Sequence, residues 1–260
     1  MPIGPALQKG MEENIQNLRS FYASYSKRPG GKLEKKENLT LSLSGEPFAL
    51  LNNVIQTALP LNPEKSVQDF IREMHALNIH FIWWITEKDT PSDLQAILTL
   101  QKPFKSSRST GMFLQKNKFC RPRETPLQIR RVENAQHLSD WLDVNMRAWS
   151  IAPAGKAPLF TVFSDLLKDS RQRFFVAYEN NTPVATSILH LEDSIGGIYW
   201  VAADPDFRNR GYASAVTARA AEEAFDSEAS LVTLQASDMG KPVYEKLGFD
   251  THGRFAMCIF

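Results

Sequence analysis

Apolar positions recur every three or four residues over Asn134–Trp149, where Leu138, Trp141, Leu142 and Met146 share one face. The same period runs over Ser66–Leu77 through Val67, Phe70, Ile71 and Met74. Both patterns predict amphipathic helices, the second with Ser66 as its N-cap. Helices are also expected over Met11–Tyr25, Pro91–Leu100 with proline in the first turn, Leu159–Lys168, Tyr212–Phe225 and Lys241–Lys246. Val216, Ala220 and Ala224 line one side of Tyr212–Phe225, and Gly248 stands where a helix-ending glycine belongs after Lys246. Shorter apolar or alternating runs predict strands at Leu39–Leu43, Phe48–Val54, His80–Ile85, Ser109–Leu114, Leu127–Val132, Phe174–Tyr178, Pro183–Leu191, Ile198–Ala203, Ser230–Ala236 and Thr251–Ile259. Glu179-Asn180-Asn181 reads as a hairpin turn, Gly196-Gly197 as a turn into the next strand, and Ile151–Pro158, with Pro153, Gly155 and Pro158, as a loop. Trp83 and Trp84, if extended, point to opposite faces, which puts one in a core and the other at a domain interface.

The two halves of the chain echo each other. Helix Pro91–Leu100 leads to Phe104 and then to Met112 eight residues on; helix Lys241–Lys246 leads to Phe249 and then to Met257, again eight on. Both methionines sit in terminal strands, which suggests two copies of one unit. The polar, proline-containing stretch Asn117–Pro126 reads as the linker between them.

The chemistry concentrates in Val201–Ser214, VAADPDFRNRGYAS. A short apolar strand, Val201-Ala202-Ala203, runs through Asp204-Pro205 into the turn Arg208-Asn209-Arg210-Gly211-Tyr212-Ala213, an R-x-x-G-x-A pattern, and then into an alanine-rich helix. The first N–H groups of a helix have no internal partner, and its dipole adds positive potential there. Gly211 removes the Cβ that would hold a phosphate away from the backbone. Arg208 and Arg210 add charge-assisted donors, and Ala213 keeps the first turn thin before Ser214. The arrangement is a pyrophosphate cradle; read without function, it is a solvated basic turn. About thirty residues later comes Pro242-Val243-Tyr244-Glu245-Lys246-Leu247-Gly248-Phe249.

In this order the two segments resemble the GCN5-related N-acetyltransferases, the GNAT superfamily. The resemblance covers Leu127 to Phe260, about half of the chain. It implies a GNAT fold of the α/β class with a mixed sheet. With the repeat, it implies two tandem GNAT-like domains: a degenerate one over 1–120 that lacks the cofactor turn, and an intact one over 126–260. It implies acetyl-CoA as co-substrate and direct transfer of the acetyl group to an amine of a small molecule or a protein. The cofactor contacts it implies are Val201, Ala202 and Ala203 through their backbone, as an added strand would make them, and Arg208, Asn209, Arg210, Gly211, Tyr212, Ala213 and Ser214 at the pyrophosphate. The backbone contacts require this strand to part from Ser230–Ala236, and Pro205, which cannot donate a ladder bond, marks where pairing should fail.

Tyr244 falls where the family carries a tyrosine beside the cofactor sulfur and is the candidate general acid, a phenol able to protonate a departing thiolate. Its plain alternative is a packing residue with its hydroxyl at the surface. Many relatives have an asparagine before that tyrosine; here stands Ser237-Asp238-Met239-Gly240, and Ser237 offers a hydroxyl instead. Ile198–Ala203 contains no carboxylate to act as a base, which leaves His190 and Glu192 on the preceding strand. Trp149, Phe160, Phe163, Tyr199 and Trp200 are candidate acceptor-side aromatics, although ordinary core packing accounts for residues of this type.

Composition narrows the rest. The chain has 260 residues, 43% of them hydrophobic and 23% charged, with no apolar run long enough to span a membrane. Its N-terminal MPIGPALQKGMEENIQ lacks an apolar core of a secretion signal, and Cys120 and Cys258 show no metal-ligand spacing. These features predict a cytoplasmic protein with free, buried thiols, no metal and no membrane partner. Net charge is +1, which gives no drive toward nucleic acid, although residues 1–125 carry +5 and residues 126–260 carry −4. Lys27, Arg28, Lys32, Lys35 and Lys36 read as a solvated loop. A monomer or a homodimer is expected. Two alternatives to N-acetylation stand: a non-catalytic acyl-CoA-binding module, and an acyltransferase for a longer acyl chain, which the small Ala202-Ala203 pair would admit.

Overall fold

A computed structural model describes residues 5–36 and 38–260. In chain order the elements are α1 (Pro5–Ala23), β1 (Lys32–Lys36), β2 (Leu39–Leu43), β3 (Asn53–Thr57), α2 (Glu64–Ala76), β4 (Ile82–Ile85), α3 (Leu94–Leu100) and β5 (Lys105–Gln115). There follow β6 (Gln128–Arg131), α4 (Ala135–Trp149), α5 (Lys156–Leu166), β7 (Gln172–Glu179), β8 (Thr182–Glu192), β9 (Ile195–Ala203), α6 (Tyr212–Asp226), β10 (Leu231–Ala236), α7 (Lys241–Lys246) and β11 (Asp250–Ile259). The class is α/β with mixed sheet, as the sequence predicts.

Two compact units form. The first holds the chain up to Leu18 together with Thr110–His252; the second holds Arg19–Ser109 together with Gly253–Phe260. In the first, strands lie in the order β5-β10-β9-β8-β7-β6, all antiparallel except the parallel pair β9/β10. In the second the order is β1-β2-β3-β4-β11, with β3/β4 parallel and the rest antiparallel. The series β1-β2-β3-α2-β4-α3-β5 and β7-β8-β9-α6-β10-α7-β11 therefore match in element order and in strand direction.

The units do not divide at the 117–126 segment. Each series ends in a strand that completes the other unit: Thr110–Gln115 of β5 pairs with Ala236–Leu231 of β10, and Ala256–Ile259 of β11 pairs with Ile85–Ile82 of β4. A polar stretch marks a surface connection, but nothing in a strand's local pattern names the strand it pairs with.

Several local expectations are corrected. Gly196 and Gly197 lie inside β9, not in a turn, and the β8–β9 hairpin turns at Asp193-Ser194. Lys32–Lys36 is an exposed edge strand, not a loop. Ser66 is inside α2, whose N-cap position is held by Pro63 without a side-chain bond. α3 begins at Leu94, with Pro91 before it. Phe48–Val54 is not one strand: Ala49–Leu51 makes a single 3-10 turn and β3 starts at Asn53. α5 starts at Lys156, and Pro158 is tolerated because the first-turn N–H groups need no partner. Of the cysteines, Cys258 is buried but Cys120 is exposed, and both are free.

Trp83 and Trp84 are both buried, because both faces of the second unit's sheet are covered. Trp83 packs with Val67, Phe70, Leu94 and Leu98 of the two helices, and its Nε1 donates to Thr57 Oγ1 at 2.9 Å. On the other face Tyr22 lies 5.0 Å from the Trp84 ring, and Trp84 Nε1 donates to Asn53 Oδ1 at 3.0 Å.

His252, in the first unit, is 7% exposed, with Nε2 3.0 Å from Asn14 Nδ2 and a buried Nδ1 that has no hydrogen bond. Burial pulls its pKa down from the usual value to about 4, partly offset by a backbone bond to Met112. Below pH 6.5 the unfolded chain takes up a proton that the folded chain refuses until about pH 4. Stability is therefore complete above pH 6.5 and is lost as pH falls toward 4, by on the order of 1–3 kcal/mol. Urea midpoints measured from pH 7 to pH 4 should fall less steeply in His252→Gln than in the parent.

Candidate active site

Two strands part at the centre of the first unit. β9 and β10 pair in parallel from Ile195/Leu231 through Gly196/Val232 to Gly197/Thr233, and there the pairing ends. Ile198–Ala203 runs on beside β8 alone, with its other edge toward the gap. The parting comes earlier than Pro205. Its local feature is a bulge: the β8–β9 register shifts between Thr186 and Ile188, and Trp200 is left-handed at φ 50°. A bulge bends its strand and sharpens the twist. Trp200 is a bulky side chain in a region that favours glycine, so this backbone is strained. Asn145 Nδ2 donates to Thr186 Oγ1 at 3.0 Å, and Thr186 Oγ1 donates to Trp200 O at 3.2 Å, which ties the bulge to α4.

Of the three residues expected to face a cofactor through their backbone, Val201 and Ala203 are half-buried and Ala202 is buried. The Val201 side chain packs against the apolar clusters under α6. All three lie beyond the fork's vertex, on the arm that leads to the R-x-x-G-x-A turn.

The exit from that arm is pinned by Asp204, only 4% exposed. Its N–H donates to Val184 O at 2.9 Å; its carboxylate accepts from Asp206 N at 3.0 Å and from Arg147 Nε at 2.5 Å. After a 3-10 turn over Pro205–Phe207 the chain passes Asn209 at φ 62° and Gly211 at φ 81° and enters α6. Gly211 is required here for its backbone conformation. An added Cβ would find only Thr125 Cγ2, at 3.9 Å, so the space in front of the helix is open.

Among the described residues, the N–H groups of residues 209–214 donate to no protein group; the first intrahelical donor is Ala215, to Gly211 O at 3.0 Å. Six main-chain donors at the positive end of a 15-residue helix are thus left without a protein partner. Arg208 and Asn209 are exposed, while Ala213 and Ser214 are half-buried in the first turn.

Sequence reading missed Glu179, at the end of β7. Its carboxylate accepts from Arg210 Nη1 at 3.2 Å and from the Tyr212 hydroxyl, and the Arg210 guanidinium also lies 5.0 Å from the Phe207 ring centroid. Tyr212 is buried, and the bond to the Glu179 carboxylate pushes its phenol pKa up. Arg210 is therefore held by the protein, whereas Arg208 makes one long bond, 3.4 Å, to Ala148 O. A carboxylate next to a hairpin turn carries no signal that it will meet a turn some thirty residues later.

Tyr244 lies on α7, buried among Val232, Leu234, Ala236 and Leu247, with Phe249 5.9 Å away. Gly240 makes room for the ring, since a Cβ there would stand 3.1 Å from Tyr244 Cε2. Among the described residues its hydroxyl has no hydrogen-bond partner. Burial pushes its pKa well above the ordinary phenol value. Ser237 is exposed at the end of β10, and its Oγ accepts from Gly240 N at 3.2 Å, helping to start α7.

Neither candidate base is free. His190 is fully buried with Nδ1 2.9 Å from Gln172 Nε2, and Glu192 accepts from Arg171 Nη1 at 2.7 Å. Phe163 and Trp200 meet edge to face at 5.0 Å over Trp141, Tyr199 donates its hydroxyl to Asn17 Oδ1 at 2.7 Å, and Trp149 is 52% exposed.

The model of the acetyltransferase (GNAT) family matches residues 135–249, a span that contains the fork, the turn and Tyr244. A GCN5-related N-acetyltransferase from Kribbella flavida shares the fold at a TM-score of 0.68 and 14% identity, over 99% of this chain and 96% of that one. A functionally unknown conserved protein from Staphylococcus epidermidis does so at 0.67 and 15%, over 88% and 93%. A putative GNAT-family acetyltransferase from Novosphingobium aromaticivorans does so at 0.57 and 9%, over 94% and 97%. No curated protein matches. Among the described residues no helix is long and apolar enough to cross a membrane. Residues 135–249 thus form a segment that matches the acetyltransferase (GNAT) family.

Proposed function

We propose that the chain transfers the acetyl group of acetyl-CoA directly to a primary amine of a small molecule or protein. The observation that carries this reading is the join of an open strand fork to a turn that presents six unpartnered N–H groups. The donor set fits a pyrophosphate: the N–H groups of residues 209–214 have no protein partner, Gly211 leaves the space before it open, and Arg208 is exposed in the same turn. Along the fork, the free edge of Val201, Ala202 and Ala203 suits the amides of a pantetheine arm. Bound acetyl-CoA would supply an activated acyl group. Burial raises the pKa of Tyr244, so its hydroxyl keeps its proton at neutral pH and is the chain's candidate donor to a thiolate.

A non-catalytic acyl-CoA-binding module is the second reading, favoured by the engagement of both His190 and Glu192. On either reading we assign cofactor binding to residues 126–260. Residues 1–120 are proposed as a GNAT-like copy without the phosphate turn; the matched element order supports this. A cytoplasmic location fits the composition.

Calorimetry of acetyl-CoA binding tests the cradle. Arg208→Ala with Arg210→Ala should weaken affinity, Arg208 contributing the larger share because Arg210 is already paired with Glu179. A charge-assisted bond is worth roughly 1.5–3 kcal/mol, so the loss should be tenfold or more. Unchanged affinity in the double variant would remove the assignment.

A further inference from the structure

The fork's vertex is gripped from one face by α1, an element that precedes the whole motif-bearing region. Asn14 and Asn17, one helical turn apart, are both fully buried. Asn14 Nδ2 donates to Leu234 O at 3.0 Å and to Met112 O at 3.2 Å, and its Oδ1 accepts from Gln235 Nε2 at 2.5 Å. It is thus fixed to β10 and to β5 beside it. Asn17 Nδ2 donates to Ile195 O at 3.3 Å and to His190 O at 3.5 Å, and its Oδ1 accepts from Tyr199. It is fixed to β9 and to β8 beside it.

The vertex is shaped to receive this grip. Gly197, the last β9 residue paired with β10, faces Asn17: a Cβ on it would stand 1.8 Å from Asn17 Oδ1 and 2.7 Å from the Tyr199 hydroxyl. Neighbouring Gly196 faces the other way, where a Cβ would meet Ala224 Cβ of α6 at 2.7 Å. Any larger residue at 197 would push α1 off the vertex. Gly10 sets the helix equally close further along, its Cβ position lying 2.9 Å from Phe113 Cδ1.

Beyond the vertex each arm presents an unpaired edge of backbone groups, and two such edges tend to zip together or drift apart. We propose that Asn14 and Asn17 are positioning residues: from α1 they hold the two arms at a fixed separation, so that the gap is preformed for an acyl-CoA arm. The proposal rests on the acyl-CoA reading for the identity of the occupant, but the clamp itself can be read without any ligand.

The test uses the full-length chain with Asn14→Leu, Asn17→Leu and the milder Tyr199→Phe, which removes only the hydroxyl bonded to Asn17. Amide hydrogen exchange in the ligand-free protein should accelerate at Ile198–Ala203 and at Gln235–Ser237, more than at β7. Calorimetric affinity for acetyl-CoA, measured at a temperature where each variant is fully folded, should fall about tenfold for the leucine variants and severalfold for Tyr199→Phe. A purely structural role would lower the melting temperature and leave both readouts unchanged in the folded protein, and that result overturns the proposal. If the leucine variants do not fold, Tyr199→Phe decides: parental exchange on the arms overturns the clamp. A parent chain that does not bind acetyl-CoA at all refutes the ligand reading instead, while the exchange data still judge the clamp.

Discussion

Residues 126–260 produced without the rest of the chain are expected to remain unfolded or to aggregate, although they contain the whole cofactor motif. In the first unit β10 pairs along all of Leu231–Ala236 with Gln115–Thr110 of β5. Met112 and Leu114 of that strand are fully buried in the same cluster as Ala220, Ala224 and Val232. Removing β5 strips one edge of β10 and opens that cluster to water. Each buried Met or Leu lost removes about 1.5–3 kcal/mol of burial, and the buried ends of Asn14 and Asn17 go as well. Set against a domain stability of about 5–15 kcal/mol, the sum is enough to abolish folding. The new edge, with the now unpaired end of β11, is a template for aggregation. Co-expression of residues 1–125 with 126–260 should restore solubility, because each piece carries the strand that the other needs. Amide dispersion by NMR and a cooperative melt of 126–260 alone, near the parental melting temperature, would show that the exchanged strands are dispensable.

Strand exchange was the part of the fold that the sequence did not reveal. The helical periods at Leu138–Met146 and Val67–Met74, the hairpin at Asn180-Asn181 and the turn at Arg208–Ala213 are legible because each signal is local: spacing, turn chemistry and a glycine at positive φ. The matched eight-residue spacings from Phe104 to Met112 and from Phe249 to Met257 hinted at two related series, but not that Met112 is buried against α6 residues. Pairing is a long-range property, and so is the role of α1. Asn14 and Asn17 look like ordinary polar helix positions until the strands 98 or more residues away are in place. Gly196-Gly197 was misread for the same reason: two glycines signal a turn, but here they admit Ala224 on one face and Asn17 on the other. The tie from Glu179 to the Arg208–Ala213 turn carries no local signal because its partners, Arg210 and Tyr212, are distant in sequence.

Tyr244→Phe should separate packing from chemistry more cleanly than any other single change in this chain. The ring is held by Phe249, Val232 and Leu247, and phenylalanine preserves all of that. The hydroxyl has no hydrogen-bond partner among the described residues, so removing it breaks no bond. With the packing kept and no bond lost, the variant should melt near the parental temperature. Affinity for acetyl-CoA should change little. Turnover with a genuine amine acceptor should fall by ~10²–10⁴-fold, the usual worth of general-acid assistance. The pH profile adds a sign. Because burial raises the phenol pKa above its usual 10, the donor form persists through neutral pH and beyond pH 10, and Tyr244 should impose no alkaline limb below that point. Released thiol, followed by a chromogenic reagent across pH 6–10 for parent and variant, measures rate and profile together. A variant with parental turnover and a parental melting temperature would make Tyr244 a packing residue whose hydroxyl does no chemistry. Water or another group would then protonate the thiolate, and turnover of the amine would by itself exclude the non-catalytic acyl-CoA-binding reading.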